Sequence, residues 1–138
     1  MPGQTAHKQY KQVQVKTANK GKLVVMLYEG CIKFLRLAKK SMKENNTEDA
    51  NNYIIRSQDI IRELMNTLDI EKGGDVATNL YSLYDFLIRN LIEANVDKDL
   101  EKIEVVEDMM LELLDSWKQI VNQQNNKNVN EEKVNIKK

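Results

Sequence analysis

Histidine and cysteine, the side chains most often used as metal ligands and nucleophiles, each occur once in this chain, as His7 and Cys31. A di-iron site in a helical bundle needs Glu-x-x-His pairs from two helices, and haem attachment through Cys-x-x-Cys-His needs a second cysteine. Cys31 lies among apolar residues, which predicts a buried and unreactive thiol. We therefore expect no metal site, no cofactor and no thiol catalysis.

Carboxylates and glycines are the remaining candidates for chemistry, and both have structural interpretations. Acidic residues are numerous on the fourth predicted helix, and most of them fall opposite its apolar face; examples are Glu101, Glu104, Glu107 and Asp108. That position is typical of a solvated surface rather than of general acid–base catalysis. The pair Gly73-Gly74 precedes Asp75, which predicts a helix break followed by a cap, and no strand precedes it as in a phosphate-binding loop. The sequence favours a binding protein over an enzyme.

Length and charge narrow the class further. The chain has 138 residues, enough for one domain with a single core. Its 21 basic and 21 acidic residues balance, which argues against a surface that follows nucleic-acid phosphates. The N-terminus lacks the apolar core of a signal peptide, and no apolar run approaches the ~18 residues of a membrane span. We expect a cytoplasmic protein that neither inserts into a membrane nor binds nucleic acid.

The elements that would position any binding residue are helices. Apolar residues recur at a spacing near 3.6 in four segments, which predicts helices over residues 20–43, 48–68, 76–95 and 98–122. Thr17 or Asn19 can cap the first helix, Thr47 the second and Asp75 the third. Asn95 can end the third helix in a left-handed conformation.

Equal helix lengths and short connections predict an antiparallel, up-down-up-down four-helix bundle of the all-α class. The predicted bundle spans residues 19–122 and follows an N-terminal arm, residues 1–18. Residues 123–138 consist mainly of Asn, Gln, Lys and Glu. Such a tail buries too little apolar area to offset its ordering entropy, so we expect it to be disordered.

Two of the predicted helices have more apolar surface than one core requires. The predicted core face of the first helix contains Leu23, Leu27 and Phe34, and a second apolar stripe lies beside it. A similar flank accompanies the leucine stripe of the third helix. The candidate contact residues on and between these stripes are Val25, Tyr28, Ile32, Tyr81, Tyr84, Ile88 and Ile92.

These flanks have two interpretations. They can widen the contacts with adjacent helices, because a bundle helix touches two neighbours. If several of them stay exposed, they instead form an apolar patch that an amphipathic helix of a partner can cover. The arm, with Tyr10, Val13 and Val15, is a candidate to shield such a patch when the partner is absent.

The order and spacing of several motifs from Tyr10 to Val121 resemble the FliS family of flagellin-specific export chaperones. The motifs are Thr17-Ala18, Leu23, Met26-Leu27-Tyr28, Gly30, Ile60-Ile61, Leu64 to Asp69, Gly73-Gly74, Leu80, Leu83-Tyr84, Leu91, Ala94-Asn95 and Trp117. Many members have a proline after the entry to the first helix, where this chain has Asn19-Lys20.

The resemblance implies a cytoplasmic four-helix chaperone without ATPase activity. Its implied partner is the C-terminal segment of newly made flagellin, which it keeps from polymerising and helps to present to the flagellar type III export gate. The resemblance also implies that the segment around Tyr10 covers part of the flagellin site. The alternative from another class is a structural bundle that associates with itself and has no client.

Overall fold

The computed structural model describes the backbone of residues 20–136 and the side chains of residues 20–123. Four α-helices make up this range, and no strand occurs in it. They are α1 (Lys20–Lys43), α2 (Thr47–Asn66), α3 (Ile70–Asp97) and α4 (Leu100–Ile136). The predicted all-α class and the four predicted helices are confirmed.

The helices form a closed ring in which each one packs against two neighbours. Consecutive helices are in contact and α4 returns to α1, which leaves α1 opposite α3 and α2 opposite α4. Arg36, in the second half of α1, bonds to Glu107 near the start of α4. Asn95, near the end of α3, donates to Asn51 near the start of α2. These contacts confirm the antiparallel, up-down-up-down order.

Helix α1 has the bounds that the sequence predicts, and α2 begins one residue earlier than expected. Asn46, not Thr47, is the N-cap of α2. Its side-chain oxygen accepts the Asp49 N–H at 3.1 Å, while its amide nitrogen donates to the Asp49 carboxylate at 2.8 Å. Asn45 takes a left-handed conformation (φ 60) in the turn that separates the two helices. Two neighbouring asparagines therefore perform the turn and the cap.

Helix α3 is broken where the sequence predicts a break, but it begins earlier. Gly74 has φ 55 and ψ −132 inside the helix, a conformation open almost only to glycine. A separate turn precedes it and starts at Ile70, capped by Asp69, whose carboxylate accepts the Lys72 N–H at 3.1 Å. The predicted cap at Asp75 is wrong, since the N-cap of the helix is Asp69 and the non-helical residue at the break is Gly74.

At the other end of α3, Lys98 rather than Asn95 has the left-handed conformation (φ 51). The Asn95 amide nitrogen donates to the Asn51 oxygen of α2 at 2.8 Å. The Asn95 oxygen accepts from Lys98 Nζ at 2.5 Å. The helix continues past Asn95 to Asp97, and the Asn95 side chain links it to α2.

Asp99 directly precedes helix α4, and its carboxylate accepts the N–H groups of Glu101 and Lys102. Its backbone stays helical to Ile136, whereas the sequence predicts an end near Asn122 and a disordered tail. Residues 123–136 contain no proline and no glycine, so nothing in the covalent chain forces the helix to stop.

The core lies along the axis of the ring, but the face that α1 turns towards it differs from the predicted one. Tyr28, Cys31 and Leu35 are fully buried, while Leu23, Leu27 and Phe34 are half-buried. Phe34 stacks on Tyr53 of α2 with ring centroids 6.1 Å apart. The predicted face is thus the edge of α1 that meets α2, because α1 packs between two neighbours.

Glu107 is buried, although the sequence predicts it on a solvated surface. Its side chain accepts from Arg36 Nε at 3.2 Å and pairs with Lys39 Nζ at 2.5 Å, and both partners come from α1. Two cations on one carboxylate offset part of the cost of removing it from water. The other acidic residues of this set, Glu101, Glu104 and Asp108, are exposed as expected.

Replacing Gly74 by alanine should lower the free energy of unfolding by about 1–3 kcal/mol, because an alanine Cβ is strained at φ 55. Gly30→Ala is the matched control. Its Cβ would meet Ile60 Cδ1 at 3.5 Å, an ordinary contact, and helix propensity favours alanine there. Urea denaturation measures both variants. Equal midpoints for the two would contradict the assignment of strain to Gly74.

Candidate interaction surface

Two tyrosines that the sequence analysis names as contact residues lie in the core. Tyr28 is 0% and Tyr84 1% exposed, and their hydroxyl oxygens share a hydrogen bond of 2.5 Å. Their rings are tilted at 53°, with centroids 6.4 Å apart. Since α1 and α3 are opposite each other in the ring, this bond crosses the middle of the bundle. Each hydroxyl supplies the partner that the other needs away from water.

The surroundings keep both tyrosines neutral at ordinary pH. Burial raises the pKa of Tyr28 far above its usual value, and the neighbouring Tyr84 raises it further. Burial also raises the pKa of Tyr84, while hydrogen bonding with Tyr28 and Trp117 opposes that rise. Burial alone raises the pKa of the Cys31 thiol to about 12, in agreement with the predicted unreactive cysteine.

Two further candidates, Ile32 and Ile88, are also part of the core, at 4% and 7% exposure. Val25 is half-buried and packs against the same core. The physical reason is the ring, because an apolar flank of α1 meets α4 and a flank of α3 meets α2. The structure therefore places these side chains between helices rather than on an open surface.

Tyr81 and Ile92 are the candidate residues that remain at the surface, with 48% and 44% exposure. Ile92 lines a shallow groove of about 240 Å³ between α2 and α3, together with Ile55 and Val96, which are 41% and 79% exposed. We call this the α2–α3 groove, lined by Asn51, Ile55, Gln58, Ile92, Asn95 and Val96.

Polar groups at this groove are neutral amides. Asn51 and Asn95 bond to each other at 2.8 Å, and Gln58 is only 6% exposed. Arg62 pairs with Asp59 within α2 and Arg89 with Asp85 within α3, while Glu93 of α3 pairs with Lys102 of α4. The groove thus offers aliphatic side chains beside uncharged hydrogen-bonding groups, a surface suited to the apolar face of another helix.

Sequence reasoning missed four residues of this surface, Asn51, Ile55, Gln58 and Val96, and named Asn95 as the end of a helix rather than as a contact residue. Ile55 directly follows the core residue Ile54, so period counting assigned the core line to its neighbour. Val96 lies beyond the predicted end of the third helix and was treated as part of a connection. The spacing of Ile92 and Ile88, four and eight residues before Val96, is the signal that would have extended the helix and found Val96.

A larger cavity of about 540 Å³ opens at the end of the bundle where α1 and α3 begin. We call it the bundle-end pocket. Its apolar lining includes Leu23, Val24, Leu68, Val76, Ala77, Leu80, Tyr84 and Trp117, and its polar lining includes Lys20, Asn66, Thr67, Asp69 and Lys72. Of the predicted contact residues whose side chains are described, Tyr84 alone lines this pocket.

Tyr10 and His7 lie outside the described residues. Among residues 20–136, no helix combines the length and the apolarity needed to cross a membrane. Among the side chains of residues 20–123, no group of three or more His, Cys, Asp or Glu is placed to hold a metal ion.

A bundle with an apolar groove and an apolar pocket at one end defines a class of helical binding proteins. The chain belongs to the FliS family, since the family model for "Flagellar protein FliS" matches residues 3–124. It is 35% identical over 118 residues to the flagellar secretion chaperone FliS of Bacillus subtilis (strain 168), covering 86% of this chain and 87% of the relative. It is 36% identical over 118 residues to the flagellar secretion chaperone FliS of Salmonella typhimurium (strain LT2), covering 82% and 87%.

The fold also matches a crystal structure described as a flagellar chaperone from bacteria. The TM-score is 0.72 at 21% identity, over 88% of this chain and 99% of the other. These relatives are named as chaperones. Membership of a flagellar secretion chaperone family, which the sequence motifs predict, is confirmed.

Replacing both Tyr28 and Tyr84 by phenylalanine should make stability less sensitive to alkaline pH. Unfolded tyrosines ionise near pH 10, whereas the folded pair has raised pKa values. The stability that the pair contributes is therefore complete below about pH 10 and is lost as the pH rises towards the folded pKa values. Urea midpoints at pH 8 and pH 11 should fall further apart in the wild type than in the double variant.

The single variant Tyr28→Phe is the control for the hydrogen bond itself. It leaves the Tyr84 hydroxyl buried without its partner, which costs about 1–3 kcal/mol at neutral pH. The double variant removes both hydroxyls and should cost less than the single one. An equal alkaline loss in the wild type and the double variant would contradict the assignment to this pair.

Proposed function

We propose that this protein binds the C-terminal helical segment of flagellin in the cytoplasm, prevents its premature polymerisation and assists its delivery to the flagellar type III export apparatus. Membership of the FliS family is the observation that carries the proposal. The exposed apolar side chains of the α2–α3 groove support a helical client.

Helix-in-groove packing gives this function a physical mechanism. The terminal segments of flagellin have apolar faces that meet other flagellin subunits in the filament, and a chaperone can cover those faces in the same way. Ile55, Ile92 and Val96 offer aliphatic contacts for such a face, while Tyr81 extends the surface along α3. A client that orders only on binding pays an entropy cost, which keeps the complex exchangeable without ATP.

The core candidates support this surface from beneath. Ile88 lies under the exposed flank of α3, and the Tyr28–Tyr84 bond holds α3 across the bundle from α1. In this proposal Tyr28, Ile32, Tyr84 and Ile88 act as positioning residues for the groove, and Val25 contributes at the edge of the core. Of the contact residues predicted from the sequence, Tyr81 and Ile92 are the two proposed to touch the client directly.

The N-terminal arm is proposed to regulate access. Tyr10 and its neighbours cover part of the client surface when flagellin is absent, so that the arm and the client compete. Removal of residues 1–15 should leave the affinity for the flagellin segment unchanged or raise it, because the competitor is gone. Titration of full-length and shortened protein measures the difference. Weaker binding by the shortened protein would make the arm part of the client site.

Isothermal titration with a peptide of the flagellin C-terminal segment from the same bacterium tests the function directly. Saturable binding with a negative heat-capacity change is expected, because apolar surface is buried. The double variant Ile55→Glu, Ile92→Glu should bind at least about tenfold more weakly, since two charges would enter the apolar interface. N-terminal flagellin peptide serves as the client control.

A matched control variant separates loss of the groove from a general effect of surface charge. Val105→Glu, Ile120→Glu adds two charges at exposed apolar positions of α4, away from the α2–α3 groove. It should bind as the wild type does. Circular dichroism should report equal helix content for both variants. Unchanged affinity in the groove variant would remove this face from the proposal.

The alternative function is a structural bundle that associates with itself through the same exposed side chains. It predicts a mass that rises with protein concentration and no binding of flagellin peptide. Analytical ultracentrifugation over a range of concentrations distinguishes the two functions.

A further inference from the structure

The bundle-end pocket differs in kind from the α2–α3 groove. Side chains from all four helices line it, for example Leu23 of α1, Asn66 of α2, Leu80 of α3 and Trp117 of α4. Its volume of about 540 Å³ lies within the usual ~300–1,000 Å³ of binding pockets. Tyr84, which is 1% exposed, lies on its inner side. It is therefore a socket at the end of the bundle and not a channel along which a helix passes.

Two lysine side chains lie at the opening of the bundle-end pocket, beside its apolar lining. Lys20 and Lys72 both line it and both are exposed. Within residues 20–123, neither lysine takes part in an ion pair. Asp69, the carboxylate at the rim, already accepts the Lys72 backbone N–H as the cap of α3. The charge and the apolar area together call for a ligand that combines an apolar group with an anion.

We propose that the bundle-end pocket receives the free C-terminal end of the client polypeptide. Its last apolar side chains pack on Leu80 and Trp117, and its α-carboxylate lies at the rim near Lys20 and Lys72. The proposal rests on the proposed function and adds a specific anchor to it. Capture of a C-terminal carboxylate is a known mode of peptide recognition.

A chain terminus fits this socket better than a passing helix. The terminal residue carries its side chain and its α-carboxylate on one Cα. A single residue can therefore contact both the apolar lining and the lysines at the opening of the pocket. A carboxylate at an exposed rim also keeps most of its hydration, which avoids the cost of burying a charge. An internal helix would have to enter and leave the pocket, which residues of all four helices border.

Such an anchor would set the register of the client. With its end held at the beginning of α1 and α3, the apolar face of the preceding segment has one alignment along the bundle. The shallow α2–α3 groove, whose side chains are aliphatic and neutral, would then need to contribute less to the recognition of the client sequence.

Titration with two forms of one peptide tests the anchor. The flagellin C-terminal segment is made with a free carboxylate and with a C-terminal amide. The amide should bind the full-length protein about five- to tenfold more weakly at low salt, and the gap should narrow as salt is raised. The protein has a single tryptophan, Trp117, so its emission should shift when either peptide enters the pocket.

Charge variants of the protein test whether the two lysines are responsible for the difference between the peptides. Lys20→Gln, Lys72→Gln should bind the two peptides equally, whereas the control Lys33→Gln, Lys40→Gln should keep the full difference. The control removes the same charge from exposed positions of α1 outside the pocket. Loss of discrimination only in the pocket variant supports the proposal.

Three other results would overturn the anchor. Equal binding of the acid and amide forms by the wild type would leave the chaperone function standing without it. If removal of residues 1–15 shifts Trp117 emission while the end group of the peptide has no effect, the arm rather than the client occupies the pocket. Binding of neither peptide by folded protein would end both proposals.

Discussion

The hydrogen bond between Tyr28 and Tyr84 is the constraint on which the rest of this bundle depends. It joins α1 and α3, which lie opposite each other in the ring, and both hydroxyls are shielded from water. A rotation of either helix would leave a buried hydroxyl without a partner, at a cost of about 1–3 kcal/mol. The bond therefore fixes the rotation of α3, and with it which side chains face α2, which face outward and which face the bundle-end pocket.

Helix existence and order could be predicted from the sequence because apolar spacing and short connections determine them directly. The helix ends were harder. Asn46 caps α2 in place of its neighbour Thr47, and Asp69 caps α3 six residues before the predicted cap Asp75. Asn95 does not end α3, and its side chain bonds to Asn51 of α2. Glu107 shows the same limit, since its burial depends on Arg36 and Lys39, which are distant in the chain.

The interaction surface could be predicted only in part. A flank of extra apolar residues was evident, but a single helix does not reveal which flank meets a neighbour and which meets solvent. Ile32 and Ile88 are buried against neighbouring helices, whereas Tyr81 and Ile92 are exposed to solvent. The bundle-end pocket was not foreseen, because Leu23, Leu80 and Trp117 come together only when the ends of four helices are assembled.

The conformation of Gly74 has a consequence for local stability. Because the backbone departs from helical φ and ψ there, the Asp69-capped turn is not in regular continuation with the long segment that follows, and Ile70 is 46% exposed. Such a turn can open without disturbing the core, as a small cooperative unit of its own. Its amide hydrogens would then exchange with solvent well before those of Leu87 or Leu91. The protein would thus have a turn of low local stability next to a stable core.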